Sequence, residues 1–174
     1  MNLNPQFNQI GETFVKQYYE VFDGPRENRE KLAIFYHAEL SLMSFEGVQV
    51  QGAVNIVEKI KNLTFQKIQR MITAIDCQPT FDGGVLINVL GQLKMDDDPP
   101  HGFNQTFILK PLGDSFFVQH DMFPSGSSSY CHLNGKRIMD EDPVHGFSQT
   151  FVLKPMNDSF FIQHDSFRLV IHNA

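Results

Sequence analysis

At 174 residues, with 41% hydrophobic content, 17 Phe and no Trp, the chain has the length and apolar share of one globular domain, residues 1–174. Its formal charge of −6 argues against an electrostatic nucleic-acid binder and suits a basic protein partner. Cys77 and Cys131 make neither a disulfide framework nor a metal-site spacing, which favours a reducing compartment, and the first residues carry no signal-peptide pattern.

Asn4 and Pro5 have the chemistry of a helix start. Phe7, Ile10, Phe14, Tyr18 and Val21 or Phe22 then follow helical spacing, and Asp23-Gly24-Pro25 ends the helix. A second short helix is expected over Glu27–His37, with Leu32, Phe35 and Tyr36 facing inward. Leu40, Leu42 and Phe45 bracket a strand, Glu46-Gly47 turns, and Val48 and Val50 return. Gly52 leads into a third helix with a buried stripe of Val54, Val57 and Ile60, joined by Ile56. After Leu63 the pattern is β: a long strand over Phe65–Thr80, a turn at Asp82-Gly83-Gly84, and a return over Val85–Lys94. Helices followed by a meander predict an α+β domain.

The next segment is written twice. Residues 95–123 and 139–167 are identical at 21 of 29 positions, at a constant offset of 44. Two copies are too few for a solenoid, so the repeat is one unit duplicated. Each copy reads as a hairpin behind an acidic loop. Phe103, Gln105, Phe107 and Leu109 share one face at period 2, and Lys110 to Asp114 carry turn chemistry. Strict alternation then puts Phe116, Val118, His120 and Met122 on one face of the second strand, and Phe117, Gln119, Asp121 and Phe123 on the other. Residues 124–138 between the copies have linker composition.

The stretches PQFNQIGETFVKQYYEVFD, FEGVQVQGAVNIVEKIKNLTFQKIQ, GQLKMDDDP, HDMF and FRLVIHN resemble the nuclear transport factor 2 family nearly end to end, except residues 124–138 and one hairpin copy. The resemblance implies a cone: a strongly bent antiparallel sheet over three helices, with a hydrophobic cavity, paired as a homodimer through the sheet. It implies a non-enzymatic carrier without cofactor or metal. The cavity takes an aromatic side chain of GDP-bound Ran, and rim carboxylates meet Ran's basic residues. The matching positions are Glu46, Asp96 and Asp98, with Asp140 and Asp142 in the second copy. A second surface binds FxFG repeats of nucleoporins, with Phe7 at the matching aromatic position, where the family has Trp. The implied locations are cytoplasm, nucleus and nuclear pore. Arg70 stands where some members have His, which places a positive charge near the acidic site.

Only one hairpin completes the family pattern. Enlarging the connection to reach the second copy costs roughly 1.7 kcal/mol by loop-closure scaling. Losing the apolar residues that follow the second copy, Leu169 and Ile171, costs roughly 3–5 kcal/mol. That balance favours the second copy in the cone, whereas proximity favours the first kinetically.

The same residues also have plain structural explanations. An Asp run by itself is usually a solvated loop, and Phe7 is simplest as a core residue. His120–Asp121 and His164–Asp165 are adjacent in sequence, so each pair splits across a strand and a structural role outweighs catalysis. His101 and His145 lack clustered ligand partners. The alternatives are a cone-fold isomerase or dehydratase using Tyr18, Tyr19 and Asp121 or Asp165, and a duplicated-exon form with impaired Ran binding.

Overall fold

A computed structural model describes residues 3–123 and 146–170. Helix α1 runs Phe7–Phe22. Asn4 does not cap it directly but closes the turn ahead of it, its Oδ1 accepting from the Gln6 N–H at 2.9 Å. Phe14, Val15, Tyr18, Tyr19 and Phe22 make its buried stripe. The second helical segment, Arg26–Phe35, is wound as 3₁₀ turns and stops before His37. Leu32 and Tyr36 are buried as expected, and so is Arg29, whose guanidinium lies 4.9 Å from the Phe65 ring centre and 5.6 Å from that of Phe22.

Helix α2 is Ala53–Lys61, entered through Gly52 at φ 84°. Its buried residues are Ala53, Ile56, Val57 and Ile60. This corrects the expected stripe: Val54 is exposed, because positions 53, 56, 57 and 60 share a face at 3.6-residue period and 54 lies off it.

Strands β1 (Leu42–Phe45), β2 (Val48–Gln51), β3 (Ile68–Pro79), β4 (Val85–Met95), β5 (His101–Leu112) and β6 (Ser115–Phe123) form one sheet in the order β2-β1-β6-β5-β4-β3. The α+β arrangement of three helical segments on a large curved sheet is as expected, with two refinements. The sheet is mixed, since β1 pairs with β6 in parallel, Leu42 to Phe45 against His120 to Phe123. And β3 begins at Ile68 rather than Phe65.

A bulge changes the faces of β6. The register against β5 shifts between Ile108 and Leu109, so Leu109 faces Val118 while Ile108 faces His120. Strict alternation therefore fails there. Val118 joins Asp121 and Phe123 in the buried set, with Phe103, Gln105, Phe107 and Leu109 of β5.

The hairpin in the sheet is the first copy, not the second. Strand β4 passes to β5 through only five residues, 96–100, which is the low-entropy connection. The parallel partner β1 closes the sheet as far as Phe123, where Glu46 N–H bonds the Phe123 carbonyl at 2.9 Å. The residues after the second copy are not needed for that closure.

The chain divides into two units, with the boundary after Gly126. The described part of the second unit is the antiparallel pair β7 (Gly146–Met156) and β8 (Ser159–Val170). The expected linker at 124–138 lies outside the described residues.

Candidate functional site

The sheet's register gathers the predicted acids at one end. The last residues of β1, β6 and β4 and the first of β5 and β3 lie there together. Glu46 occupies the β1–β2 turn at φ 50°, exposed. Asp96, Asp97 and Asp98 occupy the β4–β5 loop, also exposed. Asp140 and Asp142 fall outside the described residues.

Asp96 has a structural task as well. It sits at φ 45°, and its carboxylate accepts the Gln66 and Lys67 N–H groups at 3.0 and 2.8 Å. Its own N–H bonds the Lys67 carbonyl at 3.0 Å. The carboxylate thus fixes the entry to β3 while the residue stays exposed to solvent.

A row of rings runs inward from the Glu46 turn. Phe45 stacks on Phe123 with centroids 5.0 Å apart, and Phe123 on Phe103 at 6.2 Å. Next comes Arg70. Its guanidinium carbon lies 5.6 Å from the Phe103 ring centre, 4.6 Å from Tyr19 and 4.4 Å from Phe22. It pairs with Asp23 at the end of α1, and its side chain is 3% exposed. The positive charge expected near the acidic site is therefore paired and enclosed. The cation is folded into an aromatic box and neutralised, where stacking and a carboxylate offset its desolvation. Burial still lowers its pKa from the ordinary Arg value.

Behind the row lies a closed polar network. Asp121 is fully buried on β6. Tyr36 Oη donates to its Oδ2 at 2.7 Å and Tyr18 Oη at 3.2 Å, and the two hydroxyls lie 2.8 Å apart. Gln105 Nε2 donates to Oδ1 at 2.7 Å, and Tyr19 Oη donates to Gln105 Oε1 at 2.9 Å. Burial pushes the Asp121 carboxyl up to about 6, against the hydrogen bonds from Gln105, Tyr36 and Tyr18 and the Arg70 charge, all of which lower it. Burial likewise raises the Tyr18 and Tyr36 hydroxyls well above their ordinary value. His120, next in sequence, points to the other face, as alternation requires.

Phe7 is not part of this end. It is half-buried at the start of α1, packed on the core, while Tyr19 and Phe22 reach the acidic end from the other terminus. Fifteen residues at 1.5 Å rise separate Phe7 from Phe22 by about 22 Å.

Residue spacing marks neither the burial of Arg29 nor the Arg70–Asp23 pair, and it puts Gln105 on the inward face without giving its partners. Gln105 carried a usable signal: it is the polar residue in an inward run of Phe103, Phe107 and Leu109. Nothing in the sequence marked Asp23 as the partner of a residue 47 positions away.

Comparison with known families matches the Nuclear transport factor 2 (NTF2) domain over residues 10–125 and 127–169. The chain is 43% identical over 126 residues to "Probable nuclear transport factor 2" of Caenorhabditis elegans, covering 71% of the chain and 95% of that protein. It is 41% identical over 119 residues to "Nuclear transport factor 2" of Saccharomyces cerevisiae, covering 67% and 92%. Among solved structures, nuclear transport factor 2 from Cryptosporidium parvum superposes with a TM-score of 0.66 at 42% identity, over 71% of this chain and 98% of that one. A putative scytalone dehydratase from Novosphingobium aromaticivorans, 10% identical with a TM-score of 0.56, covers 67% and 81% and shares the fold.

Proposed function

This chain belongs to the nuclear transport factor 2 family, and on that footing we propose that it is a non-enzymatic carrier between cytoplasm and nucleus whose cargo is GDP-bound Ran. One observation carries the reading: Glu46 and the Asp96–Asp98 loop lie at the same end of the sheet, with the rings of Phe45, Phe123 and Phe103 on the strands at that end. Exposed carboxylates are partners for Lys and Arg, and neighbouring rings anchor an aromatic side chain. Asp140 and Asp142 are the equivalent acids of the second copy.

A second partner belongs at the opposite end of α1. Phe7 is proposed to contact FxFG repeats of nucleoporins, so that the carrier engages the pore and its cargo on separate surfaces. The working form is a homodimer paired through the sheet, found in the cytoplasm, the nucleus and the nuclear pore.

The Tyr18–Tyr36–Asp121–Gln105 network is the feature that favours an enzyme. Its bonds speak against that. Both Asp121 oxygens accept from protein donors, and both tyrosine hydroxyls are spent inside the network. A catalytic acid or base has to reach a substrate atom, and this one is enclosed by its own partners.

The test is binding of the purified chain to Ran loaded with GDP or with a GTP analogue, beside Glu46→Lys. Binding to the GDP form alone, weakened about 10- to 100-fold by the charge reversal, is expected. Equal binding to both nucleotide forms, or indifference to Glu46→Lys, would sink the reading.

A further inference from the structure

Each taken by itself, the two hairpins are the same object. In β5–β6, Thr106 faces Met122, and the register shifts between Ile108 and Leu109. In β7–β8, Thr150 faces Ser166, and the register shifts between Val152 and Leu153, each 44 residues on. The turns agree too, with positive φ at Gly113 (60°) and Asn157 (52°). So does the cross-strand side-chain bond. Gln105 donates to Asp121 at 2.7 Å, and Gln149 donates to Asp165 at 2.8 Å.

What differs is what covers them. Phe107 is 0% exposed and Phe151 45%; Leu109 is 1% and Leu153 53%; Phe123 is 6% and Phe167 56%. The inward set of the first copy is Phe103, Gln105, Phe107, Leu109, Val118, Asp121 and Phe123. Its counterparts in the second are the same residues, except Ile162 for Val118. One methylene is the whole change on that face. A strand pair gains little from its own pairing, so the exposed apolar face that Phe151, Leu153 and Phe167 present is a surface suited to the site that covers its twin.

We propose that the strand slot between β1 and β4 is a binding site for either hairpin, and that β7–β8 is a tethered competitor for it. The walls of the slot read backbone and faces that both copies present. β1 pairs in parallel with His120–Phe123, whose counterpart is His164–Phe167. β4 pairs with residues 101–109, whose counterpart is 145–153. The floor of the slot is α1, where Phe14 and Tyr18 each meet the Phe107 ring at 5.0 Å. Phe151 supplies the same ring to that floor. The Tyr19 and Tyr36 hydroxyls would find Gln149 and Asp165 already joined in the required geometry. β7–β8 also brings four further pairs, Gly146–Val170 to Gln149–Phe167, for which β5–β6 has no equivalent. The chain therefore has two ways to complete one sheet, and which hairpin is displaced decides which surface is free.

The experiment uses the full chain with Phe107→Asp, Phe151→Asp and both together. Thermal melts are read beside backbone hydrogen exchange. With an interchangeable filler, each single variant melts cooperatively and the double variant does not. In Phe107→Asp, exchange protection leaves residues 103–123 and settles on 147–170. Loss of the cooperative melt in Phe107→Asp alone would overturn the proposal. So would a double variant that still melts cooperatively, or a folded Phe107→Asp chain whose protection stays on 103–123.

Discussion

Asp121 is the carboxylate with the most to lose from its surroundings. Its folded-state value of about 6, set first by burial, exceeds the roughly 3.9 of an Asp in an unfolded chain. Between those two values the folded state holds a proton that the unfolded state has released. Its contribution to stability is thus full below about pH 4, is lost as the pH rises through about 6, and is level above that. Urea midpoints of the parent should carry this fall between pH 4 and 7, and Asp121→Asn should remove it. If the parent-minus-variant difference is flat across that window, the network is not coupled to the fold as described. Arg70 shows the same physics with the opposite sign of charge. A guanidinium enters a closed site because three rings and Asp23 replace its water. Neither environment could be read from the residue types alone, since each depends on contacts between distant segments.

Elements were more legible than their faces. The first helix, the two hairpin turns at Glu46-Gly47 and Asp82-Gly83-Gly84, and the strands on either side follow directly from periodicity and turn chemistry. Val54 and Val118 were misplaced for two reasons. A nine-residue helix leaves its phase ambiguous by one position, and a bulge breaks alternation without changing composition. The parallel β1–β6 pair was invisible because it joins segments more than 70 residues apart. Of the candidate acids, the structure gathers Glu46, Asp96 and Asp98 at one end, while the resemblance alone had singled them out. Helix α1 meets β3 at a tight point. A Cβ on Gly11 would lie 2.3 Å from Cys77 Sγ and 3.4 Å from Ile87 Cγ1. Gly to Ala inside a helix gains about 1 kcal/mol of propensity, but overpacking costs about 1–3 kcal/mol. Gly11→Ala should therefore destabilise the chain in urea titration, and Gly11→Ala with Cys77→Ala should recover the loss. Equal midpoints for parent and Gly11→Ala would show that the helix can lift off β3 freely.

At the scale of the whole molecule, the proposed homodimer uses the face of the sheet turned away from the helices. Met122 lies on that face, opposite Thr106, and is exposed. Sedimentation equilibrium should give twice the 19.9 kDa chain mass, and Met122→Asp should give a single chain. An unchanged dimer in the variant would place the interface elsewhere. The second hairpin has a different consequence, one for the lifetime of the protein in a cell. Exposed Phe151, Leu153, Phe160, Ile162, Phe167 and Leu169, on a strand pair that no third strand joins among the described residues, are what chaperones and proteases inspect when they sort damaged chains. A perfectly folded first unit gives no protection against that inspection. The abundance of this chain would then follow from how often its spare hairpin is seen, and removing that hairpin would lengthen the half-life without changing the melting of the rest.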